Sequence, residues 1–327
     1  MKKIVSVAPM MDCTDRHDRY FLRLISKHVK LYTEMIVANA IIKGDRKRLL
    51  KFNPKEKPLA LQIGGSDPKK LSEAVKIAEN YGYDEINLNL GCPSRKVQKN
   101  KFGACLMKEP NLVADCLTEM MASCSIPVTV KTRIGYDDVE DYESLKNFIQ
   151  ILKKTGVKTF VIHARKAMLG KFTPKQNLNI PPLKYDIVYR LKKDFPEEEI
   201  IINGGINSIY QIKNHLEKVD GVMIGRSVYH SPYFLAEIER EIFNNDNISS
   251  RKEIIENLIP YVKSEIKKGT RLNQIMRHTI GLFHGQTGAN FWKRYLSENM
   301  CVRNADVQKI NHIMDKITFN HLERSVS

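Results

Sequence analysis

Closely spaced cysteine pairs are absent from this 327-residue sequence. Its six cysteines form no C-x-x-C motif. Because structural zinc sites and iron–sulfur clusters usually depend on such spacing, we expect no metal. No apolar run is long enough to cross a bilayer, so we expect no membrane partner. No G-x-G-x-x-G motif follows an early strand pattern, which leaves a Rossmann dinucleotide site without support.

Acidic residues are also scarce relative to basic ones. The chain has 37 acidic and 53 basic residues, which gives a formal net charge of +16. The basic residues concentrate at 43–57 and again at 95–101. Such a balance favours a polyanionic partner, most often nucleic acid. The alternative is a lysine-rich surface whose charges serve only solvation.

The first residues superficially resemble a secretory signal, because two lysines precede an apolar stretch. Pro9 interrupts that stretch and Asp12 follows soon after, so we interpret the segment as a first strand. A long, enzyme-like chain with irregularly spaced cysteines indicates reduced thiols and a cytoplasmic location. We expect a monomer.

Short apolar runs rich in β-branched residues occur eight times in the first 240 residues. They cover 4–9, 31–35, 59–63, 85–90, 128–133, 159–163, 200–203 and 221–224. Amphipathic segments with helix signals separate them, as where Asp67 and Pro68 form an N-cap followed by proline. This alternation predicts an α/β fold, a (β/α)8 TIM barrel. An open, doubly wound parallel sheet is the less favoured alternative.

The pattern changes after Phe243. A polar linker at 244–247 precedes Ser250 and Glu253, which have the spacing of a capping box, and Gly269 ends that helical pattern. Further helical patterns cover 272–283, 291–296 and 307–317. We therefore predict a barrel domain at 1–243 and an appended C-terminal helical bundle domain at 244–327.

A cysteine stands at the end of the fourth strand pattern. The segment Asn87-Leu88-Asn89-Leu90-Gly91-Cys92-Pro93-Ser94 runs from apolar alternation into a turn. We expect Gly91 to permit a tight backbone there and Pro93 to end the strand. A thiol on such a turn can serve as a proton donor or nucleophile, although it can also be a small buried apolar group. Cys105 is the weaker candidate, because its apolar neighbourhood should raise its pKa and hide it.

Polar side chains gather at the ends of the predicted strands, where barrels place their chemistry. The residues at these ends, polar or thiol-bearing except for Met10, are Met10, Glu34, Gln62, Asn87, Asn89, Cys92, Lys131, Arg133, His163, Arg165, Asn203 and Arg226. Together these ends predict a pocket. The last two strands end in Gly204-Gly205 and Gly225-Arg226, a pattern that favours a phosphate site.

At this point the sequence resembles the tRNA-dihydrouridine synthases, most closely their A-type bacterial subfamily. The motifs that carry the resemblance span the chain from the first strand to about residue 296. They are Ala8-Pro9-Met10-Met11-Asp12, Leu31-Tyr32-Thr33-Glu34-Met35, Leu61-Gln62-Ile63-Gly64-Gly65-Ser66, the Asn87–Ser94 segment, Phe102-Gly103-Ala104-Cys105-Leu106, Val130-Lys131, His163-Ala164-Arg165, Ile180-Pro181-Pro182-Leu183, Asn203-Gly204-Gly205 and Gly225-Arg226.

The resemblance implies an FMN enzyme that uses NADPH to reduce uridines in the tRNA D loop, at positions 20 and 20a. Reduced flavin would deliver hydride to uridine C6, and Cys92 would protonate C5. The implied flavin-binding residues are Pro9, Met10, Met11, Gln62, Lys131, His163, Asn203, Gly204, Gly205, Gly225 and Arg226. The implied substrate and tRNA contacts are Asn89, Arg165, Lys175, Lys293 and Arg294.

Two positions depart from the A-type pattern. Leu178 and Asn290 stand where that pattern commonly places arginine, whereas Lys293 and Arg294 match it. The departures concern the contacts with tRNA and leave the reduction chemistry intact. Two other hypotheses stay open: an FMN barrel that reduces a small molecule such as dihydroorotate or an enoate, and an RNA-binding protein without catalysis.

Overall fold

A computed structural model describes residues 3–139 and 141–301, and the helix predicted at 307–317 lies outside these ranges. The described chain divides into two compact units. Unit one comprises residues 3–12 and 30–225, and unit two comprises residues 13–29 and 226–301. These units are defined by contacts within the structure, and unit two includes an early segment as well as residues from 226 onward. The division at residue 243 into two domains stays a prediction.

Unit one is a barrel of parallel strands. Its strands within the described residues are β1 (Ile4–Val7), β2 (Leu31–Tyr32), β3 (Ile36–Val37), β4 (Leu59–Gly64), β5 (Glu85–Asn89), β6 (Val128–Arg133), β7 (Thr159–His163), β8 (Glu199–Asn203) and β9 (Gly221–Ile224). They pair in the order β1-β9-β8-β7-β6-β5-β4-β2, and β3 also pairs with β4. Lys30, just before β2, closes the ring, because its N–H and C=O bond to Val5 and Val7 of β1 at 3.0 and 2.9 Å. The predicted parallel barrel is confirmed.

Helices alternate with these strands along the chain. In unit one they are Ala38–Lys43, Arg46–Leu50, Pro68–Glu79, Arg95–Lys99, Pro110–Met121, Tyr142–Lys153, Pro174–Asn177, Tyr185–Asp194 and Ile209–Leu216, with 3-10 turns at Pro54–Glu56 and Gly103–Lys108. The Asp67 side chain accepts the N–H of Lys70, so the N-cap predicted from the sequence is confirmed.

The predicted strand at 31–35 is wrong in its second half. Strand β2 ends at Tyr32, and a separate short strand, β3, follows at Ile36–Val37. Between them the hydroxyl of Thr33 accepts the N–H of Gln62 at 3.0 Å and donates to the carbonyl of Glu34 at 2.8 Å. The side chain thus replaces ladder bonds at the break, a local event that apolar alternation does not reveal.

Unit two is helical. Its helices are Arg16–Ile25, Arg226–His230, Phe234–Phe243, Arg251–Lys267, Leu272–Met276 and Ala289–Asn299, with a 3-10 turn at Arg277–Thr279. The capping box predicted at Ser250 and Glu253 is confirmed, with reciprocal bonds of 3.3 and 2.7 Å. The single helix predicted over 272–283 is wrong: the α-helix ends at Met276 and the 3-10 turn replaces it.

Candidate active site

The turn that carries Cys92 is organised by the side chain of Asn89. Its Oδ1 accepts the backbone N–H of Gly91 at 3.2 Å and that of Cys92 at 3.0 Å. Gly91 is not in the left-handed backbone region, and an added Cβ there would meet nothing closer than 3.5 Å. Neither the backbone conformation nor the surrounding space therefore requires glycine at position 91. An asparagine that accepts two successive N–H groups makes the bend instead.

The glycine that this turn does require is Gly103, which begins the 3-10 turn Gly103–Lys108. Its φ is +77°, and a Cβ on it would lie 2.7 Å from the carbonyl oxygen of Cys92. The next residue, Ala104, donates its N–H to the same carbonyl at 3.0 Å. The Phe102–Leu106 motif thus supports the Cys92 turn from the side, and only glycine allows this approach.

Burial raises the pKa of both candidate thiols, so pKa does not separate them as the sequence argument expected. For Cys92, burial outweighs three effects that lower the pKa: a hydrogen bond from the Ser94 backbone and the charges of Arg133 and Lys131. For Cys105 burial is again the largest cause, and its Sγ bonds to the Phe102 carbonyl at 3.1 Å. What distinguishes Cys92 is its location beside two cations.

Two cations of β6 border the turn. Half-buried Lys131 donates from Nζ to Oδ1 of Asn203 at 3.1 Å, and desolvation, reinforced by the charge of Arg133, lowers the pKa of Lys131 to about 7. Arg133 is buried; its Nε donates to the Gly91 carbonyl at 2.8 Å, and burial lowers its pKa to about 10. Desolvated cations attract an anionic or electron-rich ligand.

His163, at the end of β7, is buried beside these cations. Its Nδ1 has no hydrogen-bond partner within the described residues. Burial, together with the charges of Arg133 and Lys131, moves the pKa of His163 well below its usual value. The neutral ring therefore offers an unsatisfied nitrogen to a ligand, since a buried polar atom without a partner is costly.

The glycines after β8 and β9 differ in what they require. Gly204 and Gly205 have φ values of +126° and +70°, and an added Cβ would lie 2.8 and 2.6 Å from the Leu183 side chain. Gly225, by contrast, would place its Cβ 3.6 Å from Sδ of Met10, an ordinary contact. The first pair is needed by the backbone itself, whereas no contact in the part of the chain that the structure describes requires glycine at 225.

The remaining predicted residues of unit one lie at the same ends of the strands or in the loops that follow. Gln62, on β4, accepts at Oε1 from Nδ2 of Asn89 at 2.8 Å. Pro9, Met10 and Met11 follow β1, and Met11 is 55 % exposed, which is unusual for a large apolar side chain. An exposed methionine after a barrel strand is available to a ligand.

The loop after β7 is held by side chains that the sequence argument did not assign to the site. The fully buried amide of Asn177 donates to three carbonyls, those of Met168, Phe172 and Thr173. Arg133 reaches the Lys166 carbonyl of this loop at 3.1 Å. No periodic pattern marks such residues, so only the tertiary structure identifies them.

Arg165 belongs to the same loop, and its guanidinium donates to the carbonyls of Asn179 and Pro181. Lys175 lies nearby in sequence, exposed on the short helix Pro174–Asn177. Leu178, the first departure from the A-type pattern, directly follows that helix and is half-buried.

The other predicted cations belong to unit two. Lys293 and Arg294 are exposed on helix Ala289–Asn299, whose buried face carries Trp292 and Leu296. The Trp292 indole N–H donates to the Thr279 carbonyl at 2.9 Å, which anchors the helix. Arg226 begins helix Arg226–His230.

Comparison with known proteins decides the family. The model of the dihydrouridine synthase (Dus) family matches residues 6–318. The chain belongs to the dihydrouridine synthase family. It is 54 % identical over 302 residues to the tRNA-dihydrouridine(20/20a) synthase of Synechocystis sp., which covers 92 % of this chain and 90 % of the relative. Proteins with the same name from Vibrio cholerae (49 %, 97 % of this chain and 98 % of the relative) and Escherichia coli K12 (51 %, 94 % and 90 %) are similar.

The residues of this dihydrouridine synthase family member fit a bound flavin nucleotide. No residue of the described ranges bonds to the buried Nδ1 of His163, Lys131 and Arg133 are desolvated cations, and Gly204-Gly205 is a turn in the left-handed backbone region after β8. Across residues 3–139 and 141–301, no cluster of three or more His, Cys, Asp or Glu has metal-binding geometry, and no helix is long and apolar enough to span a membrane.

Proposed function

We propose that this chain reduces uridine to 5,6-dihydrouridine in the tRNA D loop, at the positions 20 and 20a that its relatives' names specify. FMN is the proposed cofactor and NADPH the proposed reductant. The observation that carries this proposal is the turn after β5, on which the Asn89 side chain holds Cys92 beside the charge of Lys131. We further propose a monomer in the cytoplasm.

The flavin would lie across the strand ends. When bound, FMN would supply the hydride chemistry, which links oxidation of NADPH to reduction of the uridine C5–C6 bond. Pro9, Met10, Met11 and Gln62 would line the isoalloxazine ring. Lys131 would hold a positive charge at its electron-rich N1–O2 edge, and His163 would donate or accept a hydrogen bond through Nδ1.

The phosphate of the flavin would lie at the turns after β8 and β9. Gly204 and Gly205 would offer backbone N–H groups of a left-handed turn, and Asn203 is their neighbour at the end of β8. Gly225 and Arg226 follow β9 directly in sequence, and the guanidinium would add charge-assisted bonds to the phosphate. The described residues leave room for a Cβ at position 225, so a ligand that needs close approach to the backbone is the proposed reason for glycine there.

Cys92 would donate the proton that completes the reduction at uridine C5. Burial raises its pKa above the ordinary thiol value, so the thiol is protonated at neutral pH. A general acid must hold its proton before the step and lie within hydrogen-bond reach during it. Hydride to C6 and a proton to C5 together saturate the C5–C6 bond, so the atoms and electrons balance.

The uridine must leave the tRNA stack to reach the flavin. Asn89 and Arg165 would contact the flipped nucleotide, while Lys175, Lys293 and Arg294 would contact tRNA phosphates. All three of the latter are exposed cations on helices. Phosphate contacts fix the register of the RNA without reading its sequence.

The decisive experiment uses the purified full chain, loaded with FMN, and an unmodified tRNA transcript. We expect a yellow protein that, with NADPH, forms dihydrouridine detectable by mass spectrometry of nucleosides. NADH in place of NADPH measures the cofactor preference. Turnover of dihydroorotate or an enoate without any effect of tRNA would favour the small-molecule hypothesis. A colourless protein that takes up no FMN would favour an RNA-binding protein without catalysis.

A further inference from the structure

A continuous chain of buried hydrogen bonds runs through the barrel of unit one to the Cys92 turn. It passes from Glu85 at the start of β5 through side chains on β6, β5 and β4. The members are Glu85, Thr129, Asn87, Gln62 and Asn89, and all are at most 8 % exposed. The Thr129–Glu85, Asn87–Thr129, Gln62–Asn87 and Asn89–Gln62 bonds measure 2.6, 2.8, 2.9 and 2.8 Å.

Every bond in this chain points toward Glu85. The carboxylate can only accept, so Thr129 must donate its single hydroxyl hydrogen to Oε1. The Thr129 oxygen is then left to accept from Nδ2 of Asn87, which turns Oδ1 of Asn87 toward Nε2 of Gln62. The charged acceptor Glu85, at one end of the hydrogen-bond chain, thereby sets the amide orientation of each residue that follows in it.

The same constraint sets the amide orientations of Gln62 and Asn89, at the end of the hydrogen-bond chain next to Cys92. Because Nε2 of Gln62 is committed to Asn87, its Oε1 faces Asn89 and accepts from Nδ2. Oδ1 of Asn89 is then free to accept the N–H groups of Gly91 and Cys92. A reversed Asn89 would place an amide N–H₂ against those two donors.

Glu85 itself is firmly held. Nζ of Lys30 lies 2.6 Å from its Oε2, and the Tyr32 hydroxyl donates to Oε1 at 2.8 Å. The Lys30 ammonium supplies the counter-charge that a buried carboxylate needs. Residue 30 also makes the backbone bonds to β1 at which the barrel closes.

We propose that Glu85 is a positioning residue for Cys92, which acts through the Thr129–Asn87–Gln62–Asn89 chain to orient the turn that carries the thiol. The inference rests on the proposed function, in which Cys92 is the proton donor. It assigns a role to Glu85, Thr129 and Asn87, none of which needs to touch cofactor or substrate. It also fixes which atoms of Gln62 and Asn89 are already engaged before a ligand binds.

The test breaks one link while keeping the shape of the side chain. Thr129→Val removes the hydroxyl, Thr129→Ser restores it, and Thr159→Val is the matched control. Thr159 lies on β7 at the register of Thr129 and donates to a half-buried glutamate of β8, Glu199, at 3.0 Å. It belongs to no link of the chain described above, so its loss tests the effect of removing a half-buried threonine hydroxyl from a neighbouring strand.

The first measurement needs no turnover. The rate of alkylation of Cys92 by iodoacetamide is followed against pH by peptide mass spectrometry in the FMN-loaded protein. We expect Thr129→Val to shift this pH profile and accelerate modification about fivefold or more, because a loosened turn exposes the thiol. Thr129→Ser and Thr159→Val should retain the wild-type profile.

The second measurement is dihydrouridine formation in single turnover. A misplaced donor should slow Thr129→Val on the order of tenfold to a hundredfold while the tRNA KM stays unchanged. If Thr129→Val matched wild type in both measurements, or if Thr159→Val or Thr129→Ser changed as much as it did, the proposal would be overturned.

A second variant covers the case in which Thr129→Val does not fold. Glu85→Gln keeps the shape but adds an N–H₂ donor, which allows the chain to reverse, so it should shift the alkylation profile in the same way. An unchanged profile in Glu85→Gln contradicts the proposal. Absence of dihydrouridine from the wild-type enzyme would instead reject the proposed function, whereas the alkylation result stands independently of it.

Discussion

Lys131 and Asn203 form a bond across β7, since the Lys131 ammonium on β6 lies 3.1 Å from Oδ1 of Asn203 on β8. The Asn203 amide is fixed in this orientation because its Nδ2 donates to the Met223 carbonyl at 2.8 Å. A neutral amide oxygen gives the lysine a partner but no counter-charge. Because its desolvation is not compensated by a negative charge, the pKa of Lys131 is lowered, and the ammonium remains able to bind an anion.

The lowered pKa of Lys131 predicts a pH dependence of stability. Its folded-state pKa is about 7, against an ordinary value of 10.5, so the unfolded chain binds more protons between these pH values. The free energy of unfolding must then rise with pH across that interval. We expect cofactor-free Lys131→Met to be more stable than wild type at pH 7 and below. Its advantage should fade toward pH 10.5 in thermal unfolding measurements.

Exposed Lys96, replaced in the same way, is the control and should show no such trend. A constant difference between Lys131→Met and wild type at all pH values would contradict the desolvated lysine. In the FMN-loaded enzyme, Lys131→Met should also slow flavin reduction by NADPH, which stopped-flow absorbance measures.

Replacing Cys92 should separate the two halves of the proposed reaction. We expect Cys92→Ala to retain FMN and the oxidation of NADPH, because the thiol is needed only after the flavin is reduced. Dihydrouridine formation should fall on the order of 10²–10⁴-fold, as for loss of a general acid. Cys105→Ala, the matched thiol deletion, should fall far less. The opposite order would assign the proton to Cys105.

Two glycine variants should fail in different ways. Gly204→Ala forces a residue with a φ of +126° to carry a Cβ 2.8 Å from Leu183, so we expect a loss of about 1–3 kcal/mol of stability. Gly225→Ala meets only an ordinary contact with Met10, so it should fold normally and lose FMN affinity. Thermal unfolding and FMN titration of the cofactor-free protein measure the two effects. Normal FMN affinity in Gly225→Ala would remove Gly225 from the phosphate site.

The cations of helix Ala289–Asn299 should contribute a salt-dependent part of tRNA affinity. Lys293→Ala combined with Arg294→Ala should raise the tRNA Kd and flatten its dependence on salt, because each lost phosphate contact removes roughly 0.7–0.9 from the log–log slope. NADPH oxidation without tRNA should be unchanged. Lys263→Ala with Lys267→Ala removes the same charge from helix Arg251–Lys267 and is the control. Equal losses in both double variants would indicate a general charge effect.

The register of parallel strands explains why much of the site could be predicted from sequence. Lys131, His163 and Asn203 each follow a buried run, and neighbouring parallel strands bring such positions to one end of a barrel. The thiol turn was found in the same way. The residues that support the Cys92 turn could not be predicted in this way, because Asn89 rather than Gly91 shapes the turn and Gly103 comes from a later turn of the chain.

What the sequence could not provide are contacts without periodicity. Arg133 bonds to carbonyls 42 and 33 residues away, and Asn177 holds its loop by three carbonyl bonds. The polar chain from Glu85 is likewise invisible, since alternating polar residues on a strand usually indicate a solvent-exposed face. Here the alternation marks the inside of a barrel.

The early segment of unit two, residues 13–29, affects how the chain can be truncated. Residues 13–29 join β1 to β2, yet their partners come from much later residues. Arg16 pairs with Glu265 at 2.9 Å, Asp15 pairs with Arg277 at 2.8 Å, and Tyr20 stacks on Tyr261. The polypeptide therefore passes between the two units three times, after residues 12, 29 and 225.

A fragment that ends at residue 243 would keep every barrel strand and lose all three of those later partners. Helix Arg16–Ile25, which lies between β1 and β2 in the sequence, would then expose to water the face that carries Tyr20, a residue now only 6 % exposed. Such a fragment should aggregate rather than yield an isolated barrel. The barrel strands pair side by side, but the segment that joins β1 to β2 belongs to the same compact unit as residues 226–301.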